Sequence, residues 1–353
     1  MKAEYAVGAV ILGAVVIGLA FLFASPTGNI QVNEYPQTQV NESYKEILNP
    51  AGFVNTEPIT LSKLVGQKVI LVDFMTYSCI NCQRTFPYLN AWYKTYKNSG
   101  LEIVGIHTPE FAFEKDIDNV RRAMREFGIM YPVVLDNDYD TWSAYGNRYW
   151  PRKYLIDIHG RIVYDHIGEG AYEETEMKIQ ELLRERADFL REAVELGGEN
   201  VAATMPAQEN SSQSPETYFG SLRNVNFGNG IPGESGEKKF VLPKELSLNI
   251  LYFGGTWNVQ PEFAEAVRDA QAIFRYNARE VFLVMDAEER IEIEIWQDGK
   301  QVSLEAGADV RDGVVSVKDS RLYKLIKNSE AGEHVLELKV RDSGARLYAF
   351  TFG

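Results

Sequence analysis

Two cysteines occur in the 353 residues, and they stand three positions apart in Val72-Asp73-Phe74-Met75-Thr76-Tyr77-Ser78-Cys79-Ile80-Asn81-Cys82. That spacing is close to one helical turn, so the sulfurs can meet as a disulfide and part again. Thiol-disulfide exchange is the chemistry on offer. A zinc site built of cysteines takes four ligands from paired half-sites, and no second C-x-x-C exists in this chain. A purely structural disulfide closing so short a loop restrains little of the unfolded chain and stabilises correspondingly little. The four histidines, His107, His159, His166 and His334, never fall at the i, i+4 spacing of a helical metal site and read as surface or core residues. No metal and no other cofactor is expected.

The elements around the pair decide which sulfur attacks. Val69, Ile70, Leu71, Val72 and Phe74 make an apolar, β-rich run, and beyond the cysteines Phe86, Leu89, Trp92, Tyr93 and Tyr96 recur at helical spacing up to Gly100. A strand, a turn and a helix follow, with Cys79 as the first helical residue. There, unpaired backbone N–H groups and the positive end of the helix dipole favour an anion, here a thiolate. Cys82, a turn further in, becomes the resolving thiol. Pro87 lies inside the helix and should bend it. Asp73, six residues before Cys79, is placed to accept the proton of Cys82, the alternative being an ordinary hydrogen-bonded strand carboxylate. Glu110 reads as a loop carboxylate near the site.

Further along, strands are expected at 101–106, 131–135, 153–158 and 161–166. A helix capped by Asp116 carries Val120, Ala123, Met124 and Phe127 on one face, a helical turn spans 139–145, and a charged closing helix spans 175–196. This order makes an α/β domain with helices on both faces of a central sheet. Past residue 215 the period becomes two: Ile291, Ile293 and Ile295 alternate with Glu292 and Glu294, Asp298-Gly299 signals a hairpin, and Leu336, Leu338 and Val340 alternate again. With the apolar runs at 274–276, 281–284, 314–317 and 347–352, the second half reads as an all-β, jelly-roll-like sandwich.

Residues 6–24 are entirely apolar or glycine, and 19 residues at ~1.5 Å each nearly match the ~30 Å of a bilayer core. An anchor is favoured over a cleaved signal peptide. The run exceeds the ~7–15 apolar residues of a usual signal core, and Leu22 is bulky where cleavage after Ala24 wants a small residue. Lys2 precedes the run and no Lys or Arg follows it before Lys45, which leaves the N-terminus cytoplasmic and the rest outside, in a compartment that tolerates disulfides. The expected organisation is an anchor at 1–25, a tether at 26–45, the α/β domain at 46–198, a polar linker at 199–215 and the β domain at 216–353. With 36 basic against 50 acidic residues, a net charge of −14, a grip on nucleic acid phosphates is excluded.

Residues 55–196 resemble a thioredoxin-like domain, of the branch found in DipZ-type and TlpA-like membrane-anchored thiol-disulfide proteins. The stretches that carry the resemblance are VDFMTYSCINC, HTPEFAFEKDIDNVRRA, GNRYWPRKYLID and HIGEGAYEETE. It implies a Cys79–Cys82 redox couple acting on protein thiols and disulfides. It also implies a cis peptide bond at Trp150-Pro151 beside the cysteines, and substrate contacts from Trp150, Pro151 and Tyr77. Ile80-Asn81 stands where thioredoxin has Gly-Pro, so reduction and oxidation both stay open. The second half resembles the carbohydrate-binding-module-like domain that follows in DipZ-type proteins, through GGTWNVQPEFAEA, RLYKLI and RLYAFTFG. Those proteins carry a multi-span electron-transfer domain, so a single-span chain implies a membrane partner that donates or accepts electrons.

Two other functions remain open on the sequence. Thr76-Tyr77-Ser78-Cys79 supplies the T-x-x-C of a peroxiredoxin-type peroxidase, although Val72 stands where that motif has proline and Cys82 is too near for a distant resolving cysteine. A glycan-binding surface module is the third reading, with Trp257, Tyr252, Trp296 and Tyr323 stacking on sugar rings or, alternatively, filling the core.

Overall fold

The computed structural model describes residues 42–196, 200–205 and 212–353. The expected membrane anchor and most of the tether lie outside the described residues, among which no helix is long and apolar enough to cross a membrane.

The first domain is built on β1 (Glu42–Ser43), β2 (Gly52–Val54), β3 (Val69–Met75), α1 (Ile80–Tyr96), β4 (Leu101–His107), α2 (Ile117–Glu126), β5 (Val133–Leu135), α3 (Asp140–Ala144), β6 (Arg152–Ile156), β7 (Arg161–Ile167) and α4 (Tyr172–Leu190). Its seven strands lie in the order β1-β7-β6-β3-β4-β5-β2. β3 is central, parallel to β4 and antiparallel to β6, and all its residues are buried, which is why it reads as a nearly unbroken apolar run. Alternate side chains take opposite faces. Val69, Leu71 and Met75 enter one core with Phe86, Trp92, Ile179 and Leu183 of α1 and α4, while Ile70, Val72 and Phe74 enter the other with Trp142 of α3 and Tyr154. Asp73 therefore shares the face covered by α1. The same alternation that hides a strand carboxylate aims it at the helix bearing the cysteines.

Helix boundaries follow their caps. Asp116 accepts the Asp118 N–H at 2.8 Å and opens α2. The last turn after α1 closes on Gly100 at φ +108°, where a Cβ would strike the Arg186 side chain. α4 begins earlier than expected and stops at Leu190, since Arg191 turns left-handed and the chain doubles back to bury Leu196 in the core. Two expected connectors are partly structured. Glu42 and Ser43 of the tether pair with Ile162 and Arg161, covering the open edge of β7, and the buried Glu176 accepts the N–H groups of Val201 and Ala202 from the expected linker.

The second domain is all β. Ten antiparallel strands join in one sheet: β8 (Thr217–Tyr218), β9 (Gly236–Phe240), β10 (Leu251–Val259), β11 (Ala264–Asp286), β12 (Ile291–Gln297), β13 (Lys300–Gln301), β14 (Val310–Arg311), β15 (Val314–Val317), β16 (Arg321–Val340) and β17 (Arg346–Phe352). Runs that read as separate strands at 274–276 and 281–284 belong to one strand of 23 residues. A register shift between Ala278 and Glu280 breaks its ladder with β16, and such irregularities let a long strand bend. On one side of the shift β11 pairs with β10 from Ala264 to Phe274, on the other with β17 from Val281 to Asp286, and β17 touches the start of β11 again at Ala264 and Glu265. Phe274 meets Phe350 and Phe352 of β17 at 5.6 and 5.5 Å, so the two halves share one core. Asp298 and Gly299 form the expected hairpin turn at φ +51° and +76°.

Three of the four aromatics weighed for sugar stacking lie in the protein interior. Trp257, Tyr252 and Tyr323 are buried, and the Trp257 indole N–H donates to the Gly254 carbonyl. Trp296 is half-buried with Lys339 over its ring at 3.8 Å. Of the two readings left open for these aromatics, filling the interior holds for the three buried rings, which present too little surface to stack on a sugar.

Candidate active site

Cys79, expected as the first helical residue, sits one position before it, since the helix begins at Ile80. It is the N-cap of α1, extended at φ −76° and ψ 121°, and its sulfur accepts the Cys82 N–H at 3.4 Å. A side-chain acceptor at that position meets one of the first N–H groups of the helix, which have no internal partners. Cys79 is half-buried, Cys82 fully buried, and both thiols are free. Burial pushes the Cys82 thiol well above its ordinary range, and hydrogen bonding and charge at Cys79, then the charge of Asp73, push the same way.

Below Cys82, Asp73 is fully buried and neither of its carboxylate oxygens has a hydrogen-bond partner. Desolvation raises it from 3.8 to about 7, against the pull of Lys153. Lys153 lies directly across the ladder in β6, also fully buried, and burial lowers its pKa. Its ammonium donates to the Gly168 carbonyl at 3.1 Å. A carboxyl group poised near neutrality beside a buried thiol can both take and return a proton.

The peptide bond between Trp150 and Pro151 is cis, and the Trp150 carbonyl oxygen lies 4.0 Å from the Cys79 sulfur. The indole is fixed by its N–H to the Thr108 carbonyl at 3.1 Å and by Trp142, ring to ring at 4.3 Å. The loop before Cys79 is held by Glu114, which sequence reasoning passed over. One of its buried oxygens accepts the Ser78 hydroxyl at 2.6 Å and the Ser78 N–H at 3.2 Å. The other accepts the Glu110 and Phe111 N–H groups at 2.6 and 3.1 Å. Glu110 itself faces the second domain, where Arg223 and the Tyr218 hydroxyl donate to it at 2.7 and 2.9 Å.

Tyr77 is placed differently from its expected substrate contact. It is buried, stacked on the buried His107 at 5.6 Å, and its hydroxyl donates to the Ser320 carbonyl at 3.0 Å, so it ties the two domains together. Ile80, between the cysteines, packs with Phe111 of the first domain against Phe282, Val284, Leu322 and Tyr348 of the second. The β domain thus covers one flank of the C-x-x-C turn. Lys153 follows Arg152 at the start of β6, two residues after Pro151, and only its burial distinguishes it from that neighbour. Nothing local marked Ile80.

Fold and site together define a thioredoxin-like protein. Residues 40–183 match the Redoxin family model and residues 214–353 the model described as the thioredoxin like C-terminal domain. Protein DipZ of Mycobacterium tuberculosis is 35% identical over 306 residues, 86% of this chain and 41% of that protein, so the chain spans less than half of that relative. Thiol-disulfide oxidoreductase ResA of Halalkalibacterium halodurans is 33% identical over 133 residues, 37% of this chain and 70% of that protein. A thiol-disulfide isomerase structure from Corynebacterium glutamicum is 22% identical, covering 40% of this chain and 96% of that one at a TM-score of 0.37. The chain belongs to the thiol-disulfide oxidoreductases.

Proposed function

We propose that the protein exchanges disulfides in polypeptide substrates outside the cytoplasm, through Cys79 as attacking thiol and Cys82 as resolving thiol. The observation that carries this reading is the contrast between the two sulfurs: one caps a helix at a half-open surface, the other is buried above a carboxyl group of pKa about 7. The Cys79 thiolate attacks a substrate disulfide, forming a mixed disulfide and releasing the first substrate thiolate, which takes a proton from solvent. Asp73 removes the proton of Cys82, whose sulfur then attacks Cys79. The second substrate thiolate leaves, and two electrons have passed to the substrate. Run backward, the same steps oxidise it. The Trp150 carbonyl, beside the attacking sulfur, would pair with the backbone of an extended substrate.

We read the chain as an anchor at 1–25, a thioredoxin-like domain, a linker at 199–215 and a β domain folded as a sandwich at 216–353. A membrane partner exchanges electrons with the Cys79–Cys82 pair. The apolar run at 6–24, with Lys2 before it, supports the topology. Reduction of insulin by the wild-type protein, lost in Cys79→Ser, tests the chemistry. Protease added outside cells with a permeable wall tests the topology: the domains should be digested while cytoplasmic controls survive, and their protection would overturn it.

A further inference from the structure

We propose that a basic cleft between the two domains binds the carboxylates of an acidic polypeptide segment flanking the substrate disulfide. The proposal rests on the exchange reading above and names its substrate class. The cleft, of about 380 Å³, is lined by Ile80 and Arg84 of α1 and by Arg279, Glu280, Lys324 and Lys327 of the β domain. Its size falls in the ~300–1,000 Å³ range of ligand pockets. Four cations face one carboxylate there, in a chain whose net charge is −14. Ile80 separates the two cysteines, so whatever fills the cleft lies beside the attacking sulfur.

The cations are under-supplied with acceptors. Arg84 is 9% exposed, and its Nη2 has no hydrogen-bond partner. Its carboxylate neighbours, Glu169 and Glu280, stand off at 3.4 and 3.7 Å, longer than the ~2.7–2.9 Å of a good charge-assisted bond. Glu280 is shared with Lys327 at 3.8 Å. The Arg279 Nε is likewise buried and without a partner, and among the described residues neither Arg279 nor Lys324 forms an ion pair. Guanidinium groups match carboxylates two bonds at a time, and buried donors lacking acceptors are costly. An acidic side chain entering from the substrate pairs with the cleft-lining faces of Arg84 and Arg279, whose charge the neighbouring carboxylates leave under-compensated, with Lys324 and Lys327 at the rim to steer it.

The test uses the full chain and two disulfide-bridged peptides of equal length, one with Asp and Glu beside its cysteines, the other with Lys and Gln. The wild type should favour the acidic peptide in kcat/KM, mainly through KM, and the preference should shrink with added salt. Lys324 and Lys327 are exposed, so Lys324→Glu/Lys327→Glu should fold, and it should lower the acidic-to-basic ratio by about tenfold. Equal kcat/KM for the two peptides in the wild type, or an unchanged ratio in the double variant, overturns the proposal. So does loss of the preference to millimolar inorganic phosphate at constant ionic strength, which would mark a phosphate site. Failure to reduce either peptide would instead overturn the exchange reading itself, a result distinct from reducing both equally.

Discussion

Asp73 and Lys153 stand opposite each other on β3 and β6, both fully buried, yet the lysine donates to the Gly168 carbonyl and neither Asp73 oxygen is hydrogen-bonded. Desolvation of the carboxylate outweighs the attraction of Lys153, so the folded protein holds a proton on Asp73 up to about pH 7, whereas the unfolded chain releases it near 3.8. Between those values the folded state binds more protons than the unfolded one. Stability contributed by this group therefore falls as pH rises through that window.

Asp73→Asn removes that dependence. The variant should gain on the order of 3 kcal/mol at pH 8 and little at pH 4, read from urea unfolding at the two values. It should also slow resolution more than initial attack, because Cys82 then lacks its proton acceptor. An unchanged pH slope of stability would show that Asp73 is charged in the folded state.

The two sulfurs should separate chemically. Cys79 is half-exposed and capping a helix, Cys82 is fully buried, so iodoacetamide should alkylate Cys79 first. Cys82→Ser should accumulate a mixed disulfide with substrate, visible on a non-reducing gel. Cys79→Ser should trap little and lose turnover by on the order of a thousandfold or more. Full turnover in Cys82→Ser would exclude it as the resolving thiol.

What was legible in the sequence is local. The run from Val69 to Phe74, the turn and the helical spacing after Cys82 set the cysteines at a helix start because each step is decided by neighbours in the chain. Lys153 acquires its meaning only when β6 lies antiparallel against β3 in one register. Glu114 looks like any loop acid until the chain folds Ser78, Glu110 and Phe111 around it. The stretches at 277–280 and 328–333 are polar enough to read as turns, yet both long strands continue through them, across a register shift that leaves 328–331 unpaired in this ladder. Ile80 resembles a spacer because its partners, Phe282 and Leu322, lie some two hundred residues away.

That junction gives a third expectation. Ile80, Phe111, Phe282, Val284, Leu322 and Tyr348 form one buried cluster, reinforced by Tyr77 on Ser320 and by Arg223 on Glu110. Cleavage within 206–211 should leave two fragments that co-elute on a sizing column. Phe282→Asp buries an unpaired charge in the cluster, and the cleaved variant should separate. If the cleaved wild type already separates, the β domain does not hold the flank of the active site in solution.

Glu114 gives the fourth. It is fully buried, and it accepts from the Ser78 hydroxyl and from three N–H groups of the segments on either side of the site. Hydrogen bonds to a charged acceptor contribute about 1.5–3 kcal/mol each, and a buried donor left without one costs about 1–3 kcal/mol. These terms are not additive within a single network. Glu114→Ala should therefore destabilise by about 3–5 kcal/mol, and Ser78→Ala, which loses only the hydroxyl bond, by about 1–2 kcal/mol. Because Ser78 precedes Cys79 directly, Glu114→Ala should also change the rate at which iodoacetamide reaches Cys79. The double variant should cost less than the two losses added, since Ser78 has no acceptor left to lose. Glu114→Gln is the discriminating case. Its amide oxygen can serve one pair of donors while its NH2 group confronts the other pair, so it should remain well below wild type in urea unfolding, and a Gln variant as stable as the wild type would show that the carboxylate is not the anchor of this loop.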